Sequence, residues 1–149
     1  MSKEIEQPNA EGAKVAQKSQ KEFKNIENDF SREVIGAAVE VQRVLGVGLL
    51  ESAYAAALAI ELNARGLSYQ RERAIEASYK GQPLGVAYRA DFVVEESVLV
   101  ELKAIEIINL THRAQLLSYL RVSGMKLGLL INFHTFPITK GIHRVVNNL

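Results

Sequence analysis

The sequence predicts a mixed α/β domain, in which helices flank a sheet that combines an antiparallel meander with one crossover strand. Apolar residues repeat at helical spacing from residue 34 to residue 64, and the period then shortens to the alternation typical of strands. Glycines separate the segments. The predicted order is α-α-β-β-β-α-β, followed by a short terminal element that is a strand or a helical turn.

The first 30 residues differ in composition from the rest of the chain. Residues 1–30 are rich in Lys, Glu, Gln and Asn and contain few large apolar side chains, so we expect a flexible polar tail. Residues 31–149 are expected to form one domain, since a chain of 149 residues with 48% hydrophobic content is sufficient for a single core.

Composition excludes several kinds of site. The chain has no cysteine, so disulfides, thiolate zinc sites and cysteine nucleophiles are excluded. Its three histidines lack ligand spacing, and a zinc site is not expected. No apolar run reaches the roughly 18 residues of a membrane span and no signal-type segment is present, so we expect a cytoplasmic protein without a membrane partner. The net charge of +1 is no strong electrostatic footprint for nucleic acid.

Two helices open the predicted domain. The first begins after Ser31, its predicted N-cap, and ends at the Gly46 and Gly48 pair. The second covers about residues 49–64 and stops at Gly66.

Three strands, a third helix and a fourth strand follow. The first strand is predicted in LSYQRERAIEASYKGQ and ends in a Lys-Gly turn. The next two strands are predicted in PLGVAYRADFVVE and SVLVELKA. The third helix is predicted over residues 111–122, closed by Gly124. KLGLLINF is a buried strand, and GIHRVVNN forms the terminal element.

The hairpin of the second and third strands carries charges where apolar residues are expected. Matching the apolar faces pairs Val94 with Val98 and Phe92 with Val100, with residues 95–97 as the loop. A register shift of one residue would put the two apolar sets on opposite faces.

This register places Asp91 opposite Glu101, with Lys103 two residues along on the same face. Cross-strand Cβ atoms lie about 4.5–5.5 Å apart, so the two carboxylates repel one another. A divalent cation with oxygen ligands, Mg²⁺ or Mn²⁺, would stabilise the pair. Alternatively, Lys103 and Arg89 neutralise the acids in an ion-pair cluster on a solvated face.

Two motifs resemble a known family. The first motif resembles the D…(D/E)-x-K motif of the PD-(D/E)XK nuclease superfamily: Asp91 is followed, after nine residues, by Glu101-Leu102-Lys103. The restriction-endonuclease-like core of that superfamily has the order α-β-β-β-α-β. The stretch GLLESAY, residues 48–54, resembles the signature of the GxxExxY protein family, a group within that superfamily. The resemblance covers about residues 31–149.

The sequence departs from the family pattern at two positions. Ala90 replaces the proline of the superfamily motif, and Gln42 stands where many relatives have histidine.

The resemblance implies roles for the matching residues. Asp91 and Glu101 would be metal ligands, together with the backbone carbonyl of Leu102. Lys103 would orient or deprotonate the attacking water and offset charge on the phosphate.

Residues on the helices would complete the site. The resemblance implies an acid that completes the metal shell; Glu51 is the first choice and Glu40 the alternative. Gln115 would position the water or a phosphate oxygen. Further candidates contact the substrate: Arg89, Tyr119 and Tyr54. Tyr54 is also interpreted as a core residue whose hydroxyl is tied to the site.

The resemblance implies that the protein is a metal-dependent phosphodiesterase, a nuclease that hydrolyses nucleic acid. The expected substrate is DNA, and the expected cofactor is Mg²⁺ or Mn²⁺. The products would carry a 5′-phosphate and a 3′-hydroxyl. Two alternatives stay open. One is a catalytically inactive nuclease-fold module that binds nucleic acid or protein, and the other is a homo-oligomeric scaffold.

Overall fold

The computed structural model describes residues 30–147, so the predicted tail lies almost wholly outside the described residues. None of the helices within this range is both long enough and apolar enough to cross a bilayer. The elements, in chain order, are helix α1 (residues 30–45), α2 (Glu51–Ala64), β1 (Tyr69–Tyr79), β2 (Gln82–Val94), β3 (Val98–Lys103), α3 (Leu110–Ser123), β4 (Leu127–Asn132), a 3-10 helix (Ile138–Gly141) and β5 (Ile142–Val146).

The five strands form one mixed sheet in the order β1-β2-β3-β4-β5. Strands β3 and β4 are parallel and are joined by α3, while the other neighbouring pairs are antiparallel. The predicted fold class is therefore confirmed, and the architecture is consistent with a restriction-endonuclease-like fold. The terminal element is a strand.

Both faces of the central strands are covered by helices. Helices α1 and α2 pack on one face, where their apolar side chains contact Phe92 and Val100. Leu116 and Leu120 of α3 cover the other face, against Leu99. Since neither face of β3 is open to bulk water, the charged residues of this strand lose part of their hydration.

The hairpin register is confirmed. Val94 pairs with Val98 and Phe92 with Val100, because this alignment is the one that keeps both apolar sets buried. The ladder between β2 and β3 ends at the Phe92–Val100 pair, one step before Asp91.

Two predicted helix boundaries need correction. Ser31 is not an N-cap, since it lies inside α1, and its buried hydroxyl accepts a hydrogen bond of 3.0 Å from the Arg144 guanidinium. The glycine stops are confirmed: α1 gives way to Gly46 with φ of 72°, and Gly124 closes α3 with φ of 74°. Helix α2 begins at Glu51, two residues after the predicted start.

Candidate functional site

Strand β2 is distorted at Asp91. Arg71 and Arg73 of β1 pair with Phe92 and Ala90, but between them Glu72 adopts a left-handed backbone with φ of 50°. Ala90 and Val93 both pack in the cluster under α3, although an odd separation would put them on opposite faces of a regular strand. The alternation of side chains therefore fails at Asp91.

This distortion corrects one detail of the strand prediction. Strict alternation puts Asp91 on the face of Val93, towards α3. Instead, Asp91 borders a cavity beside α2, together with Ala55 and Leu102.

The contact between Asp91 and Glu101 is reciprocal. The backbone N–H of Asp91 donates to Oε1 of Glu101 at 3.3 Å, and Oδ2 of Asp91 accepts from the backbone N–H of Leu102 at 2.8 Å. The two carboxyl groups are also close enough that each shifts the pKa of the other. These hydrogen bonds hold the strands together where the regular ladder has ended.

The acid pair binds a proton more tightly than free carboxylates do. Burial, followed by the negative charge of Asp91, raises the pKa of Glu101 to about 8. Burial also raises the pKa of Asp91, and the hydrogen bond from Leu102 opposes this. Two desolvated carboxylates in contact cannot both ionise easily, so without a cation the pair retains a proton near neutral pH.

Lys103 and Glu51 complete a charged group around the pair. Loss of hydration and the charge of Asp91 raise the pKa of Glu51. Lys103 lowers the pKa of Glu51, Asp91 and Glu101, so its ammonium group acts on all three acids. Glu51 occupies the first turn of α2, which sets its carboxylate beside the end of the hairpin.

The cavity beside Asp91 has a volume of about 320 Å³. It is lined by Glu51, Ser52, Ala55, Arg71, Glu72, Asp91 and Leu102. The sequence did not indicate Arg71 and Glu72, because their place in the cavity depends on the left-handed backbone at Glu72.

The opposite side of the site is formed by α3. Burial, followed by the charges of Glu101 and Asp91, raises the pKa of Tyr119, and Gln115, one turn earlier on α3, opposes this shift. Tyr88, which the sequence did not single out, stacks on the Tyr119 ring at 3.7 Å and donates to its backbone carbonyl. The structure thus places Tyr119 within the electrostatic influence of the acid pair, with Gln115 one turn earlier on the same helix.

Three predicted site residues lie elsewhere. Glu40 pairs with Arg43 at 2.7 Å on the exposed side of α1. Tyr54 is fully buried, stacks on Phe133 and donates its hydroxyl to the carbonyl of Gly46, so it does not reach the cavity. Arg89 is exposed and is not among the residues that line the cavity.

Gln42, the departure from the family pattern, is a structural residue here. It is buried, its Nε2 donates to the carbonyls of Phe133 and Thr135, and its Oε1 accepts from the N–H of Ile138. These bonds connect α1 to the loop that follows β4, so the side chain has no free group to offer a ligand.

Asn132 fixes the chain segment that follows β3, next to the site. The sequence analysis did not single out this residue. Its fully buried amide bonds the N–H and C=O of Ile105 at 3.1 and 2.8 Å, and also Thr135 Oγ1. Since Ile105 follows Lys103 by two residues, Asn132 fixes the chain where it leaves β3. A polar residue inside the apolar strand LGLLIN was the available signal.

The donor set is suited to a hard divalent cation. Among residues 30–147 no group of three His, Asp or Glu side chains is arranged to hold a metal ion. Mg²⁺, however, is usually held by one or two carboxylates and keeps several waters. Asp91 and Glu101 supply two carboxylates whose repulsion such an ion would remove, so these residues fit Mg²⁺ or Mn²⁺.

Comparison with protein families gives one match. The model of the PD-(D/E)XK nuclease superfamily matches residues 28–145, which is most of the chain. Nucleases of this superfamily generally use divalent metal ions. Comparison with curated proteins and with solved structures gives no match.

Proposed function

The chain belongs to the PD-(D/E)XK nuclease superfamily, and on that premise we propose that it is a metal-dependent phosphodiesterase that hydrolyses DNA. The observation that carries the proposal is the contact between Asp91 and Glu101, with Lys103 acting on both carboxylates. Two acids in contact at a half-buried position are unfavourable in an apoprotein, and a cation-binding role gives a reason for them.

Each residue has a proposed task. Asp91, Glu101 and the backbone carbonyl of Leu102 would hold Mg²⁺ or Mn²⁺, with Glu51 as the further acid. A cation bound there would supply Lewis-acid stabilisation of the phosphate and lower the pKa of a bound water. Lys103 would hold the attacking water and offset negative charge on the phosphate.

The α3 side would orient the substrate. Gln115 is proposed to position the water or a phosphate oxygen, and Tyr119 to contact the substrate, because the charges of Glu101 and Asp91 act on Tyr119 and Gln115 lies one turn before it on α3. Glu40, Tyr54 and Arg89 lie away from the cavity, and their placement lends no support to the site roles suggested for them.

The finer classification is also a proposal. GLLESAY supports membership of the GxxExxY family, and its Glu51 borders the cavity while its Tyr54 anchors the preceding loop. We further propose that residues 31–149 are the nuclease-like domain and that the protein works in the cytoplasm. Self-association is open to measurement by light scattering.

A binding module without turnover is the second candidate function. Each carboxylate of the pair already accepts a backbone N–H, so the pair has a structural use as a clamp between β2 and β3. On that view the proton that the pair retains would be permanent, and the protein would bind nucleic acid or protein without cleaving it.

Cleavage assays separate the two functions. Labelled single-stranded, duplex and branched DNA would be incubated with the protein in Mg²⁺ or Mn²⁺ and, separately, in EDTA. The proposal expects cleavage that needs the cation and falls by about 100-fold or more in Glu101→Ala. Absence of cleavage of all three substrates, or equal cleavage by the variant, would favour the binding module.

A further inference from the structure

Arg71 is the one basic residue among those that line the cavity beside Asp91. Three acids, Glu51, Glu72 and Asp91, line the same space. A phosphodiester that enters it therefore meets carboxylates on several sides, and a fixed cation in the wall would offset their repulsion.

The Arg71 side chain is held without an acidic partner. Its guanidinium carbon lies 5.5 Å from the centroid of the Phe92 ring, within the range of a cation–π contact, and Phe92 is fully buried. Arg73, two residues along, instead donates to Glu96 at 2.7 Å. Within residues 30–147 no ion pair involves Arg71. Its N–H groups are thus not engaged by an acid while the guanidinium carbon lies over the ring.

The backbone of β1 is bent where Arg71 meets the cavity. Neighbouring residues of a regular strand point to opposite faces, yet Arg71 and Glu72 line the same cavity. The left-handed backbone at Glu72, with φ of 50°, allows this arrangement and is costly for a residue other than glycine. Strain of this kind is found more often where it serves a site than elsewhere.

We propose that Arg71 binds a phosphate of the nucleic-acid strand, next to the phosphate that is cleaved. The inference rests on the proposed function. Arg71 pairs with Phe92, the residue that follows Asp91, and lines the β1 side of the cavity, so it is assigned to the neighbouring phosphate. The planar guanidinium matches two phosphate oxygens at once, and a cavity of about 320 Å³ is large enough for one small ligand group.

Binding of an oligonucleotide tests the proposal. A labelled single strand would be titrated by fluorescence anisotropy with Ca²⁺ in place of Mg²⁺, at several salt concentrations. Arg71→Met keeps the apolar stem over Phe92 and removes the charge, and Arg73→Met is the matched control on the same strand. We expect Arg71→Met to bind about ten-fold more weakly, and to lower the slope of log K against log salt by about 0.7. Arg73→Met should leave both quantities unchanged.

The conservative variant Arg71→Lys separates charge from shape. It should keep the salt slope of the wild type but lose part of the affinity, because an ammonium group cannot make the two-pronged contact. If Arg71→Met does not fold, this variant decides the matter, and wild-type affinity in Arg71→Lys then overturns the proposal.

The outcomes distinguish this inference from the nuclease function. Equal affinity and salt slope in wild type and Arg71→Met overturn the role of Arg71, even where wild-type cleavage supports the enzyme. Binding that depends on Arg71 in a protein that cleaves nothing supports the phosphate contact and counts against the enzyme. Failure of the wild type to bind the strand overturns the inference.

Discussion

The backbone nitrogen of Asp91 lies 3.3 Å from Oε1 of Glu101, and the Asp91 carboxylate in turn accepts a hydrogen bond from the residue that follows Glu101. This reciprocal contact replaces the ladder between β2 and β3, which ends one step earlier. The site therefore depends on two carboxylates that also hold the sheet together, and its stability and chemistry are linked.

Removing one charge of the pair should not weaken the metal-free protein. Asp91→Asn removes the charge that helps to raise the pKa of Glu101, and its amide oxygen can still accept from the N–H of Leu102. We expect the melting temperature in EDTA to stay equal or to rise. Asp91→Ala lacks the acceptor and should be less stable than Asp91→Asn by about 1–2 kcal/mol. A loss of several kcal/mol in Asp91→Asn would instead identify Asp91 as a member of a structural ion pair.

The stability of the metal-free protein should fall as the pH is raised from about 5 to about 8. The pKa of Glu101 is raised to about 8 in the folded state, whereas an unfolded chain releases this proton near pH 4. Between these values the folded state binds more protons, so its stability contribution is complete at low pH and is lost as the pH rises through the folded pKa.

Urea unfolding in EDTA measures this pH dependence. The difference between wild type and Glu101→Gln isolates the contribution of the pair, since other titrating groups are common to both. If the difference in unfolding free energy between the two proteins stays constant from about pH 5 to about pH 8, the raised pKa of Glu101 is contradicted.

Replacement of Glu51 and replacement of Glu40 should have different effects on Mg²⁺-dependent cleavage. The charge of Asp91 raises the pKa of Glu51, which borders the cavity, whereas Glu40 pairs with Arg43 on an exposed helix face. We expect Glu51→Gln to lower Mg²⁺-dependent cleavage by about ten-fold or more, because an acid at the site is lost. Glu40→Gln, the matched control, should cleave as the wild type does. The reverse order of the two variants would make Glu40 the helix acid.

Replacement of Gln42 should lower the free energy of unfolding and change the cleavage rate little. Its amide makes two hydrogen bonds to the loop after β4, at 3.1 and 2.7 Å, and one to the first residue of the 3-10 helix, at 2.9 Å. Gln42→Ala leaves these buried groups without partners and should lower the free energy of unfolding by about 2–4 kcal/mol. Arg43→Ala, at the next and exposed position, is the control and should change stability little. A nearly unchanged stability in Gln42→Ala would contradict the structural role.

The register of the hairpin could be predicted from the sequence because Phe92 and Val100 have one alignment that buries both apolar faces. The distortion at Asp91 could not, since it depends on Glu72 in a left-handed conformation that Gly or Asn would normally signal. For the same reason Arg71 was missed as a residue of the cavity. Asn132 differs, because a polar residue in an apolar strand was visible in the sequence.

The central claim is that Asp91 and Glu101 together hold a divalent cation. Measuring Mn²⁺ binding by titration calorimetry at pH 8 tests this claim most directly. The wild type is expected to bind Mn²⁺ in competition with Mg²⁺, and more tightly at pH 8 than at pH 6, because the cation must displace the proton that the pair retains. Glu101→Gln is expected to lose this binding, while Glu40→Gln keeps it. Failure of the wild type to bind Mn²⁺, or equal binding by Glu101→Gln, would contradict the account.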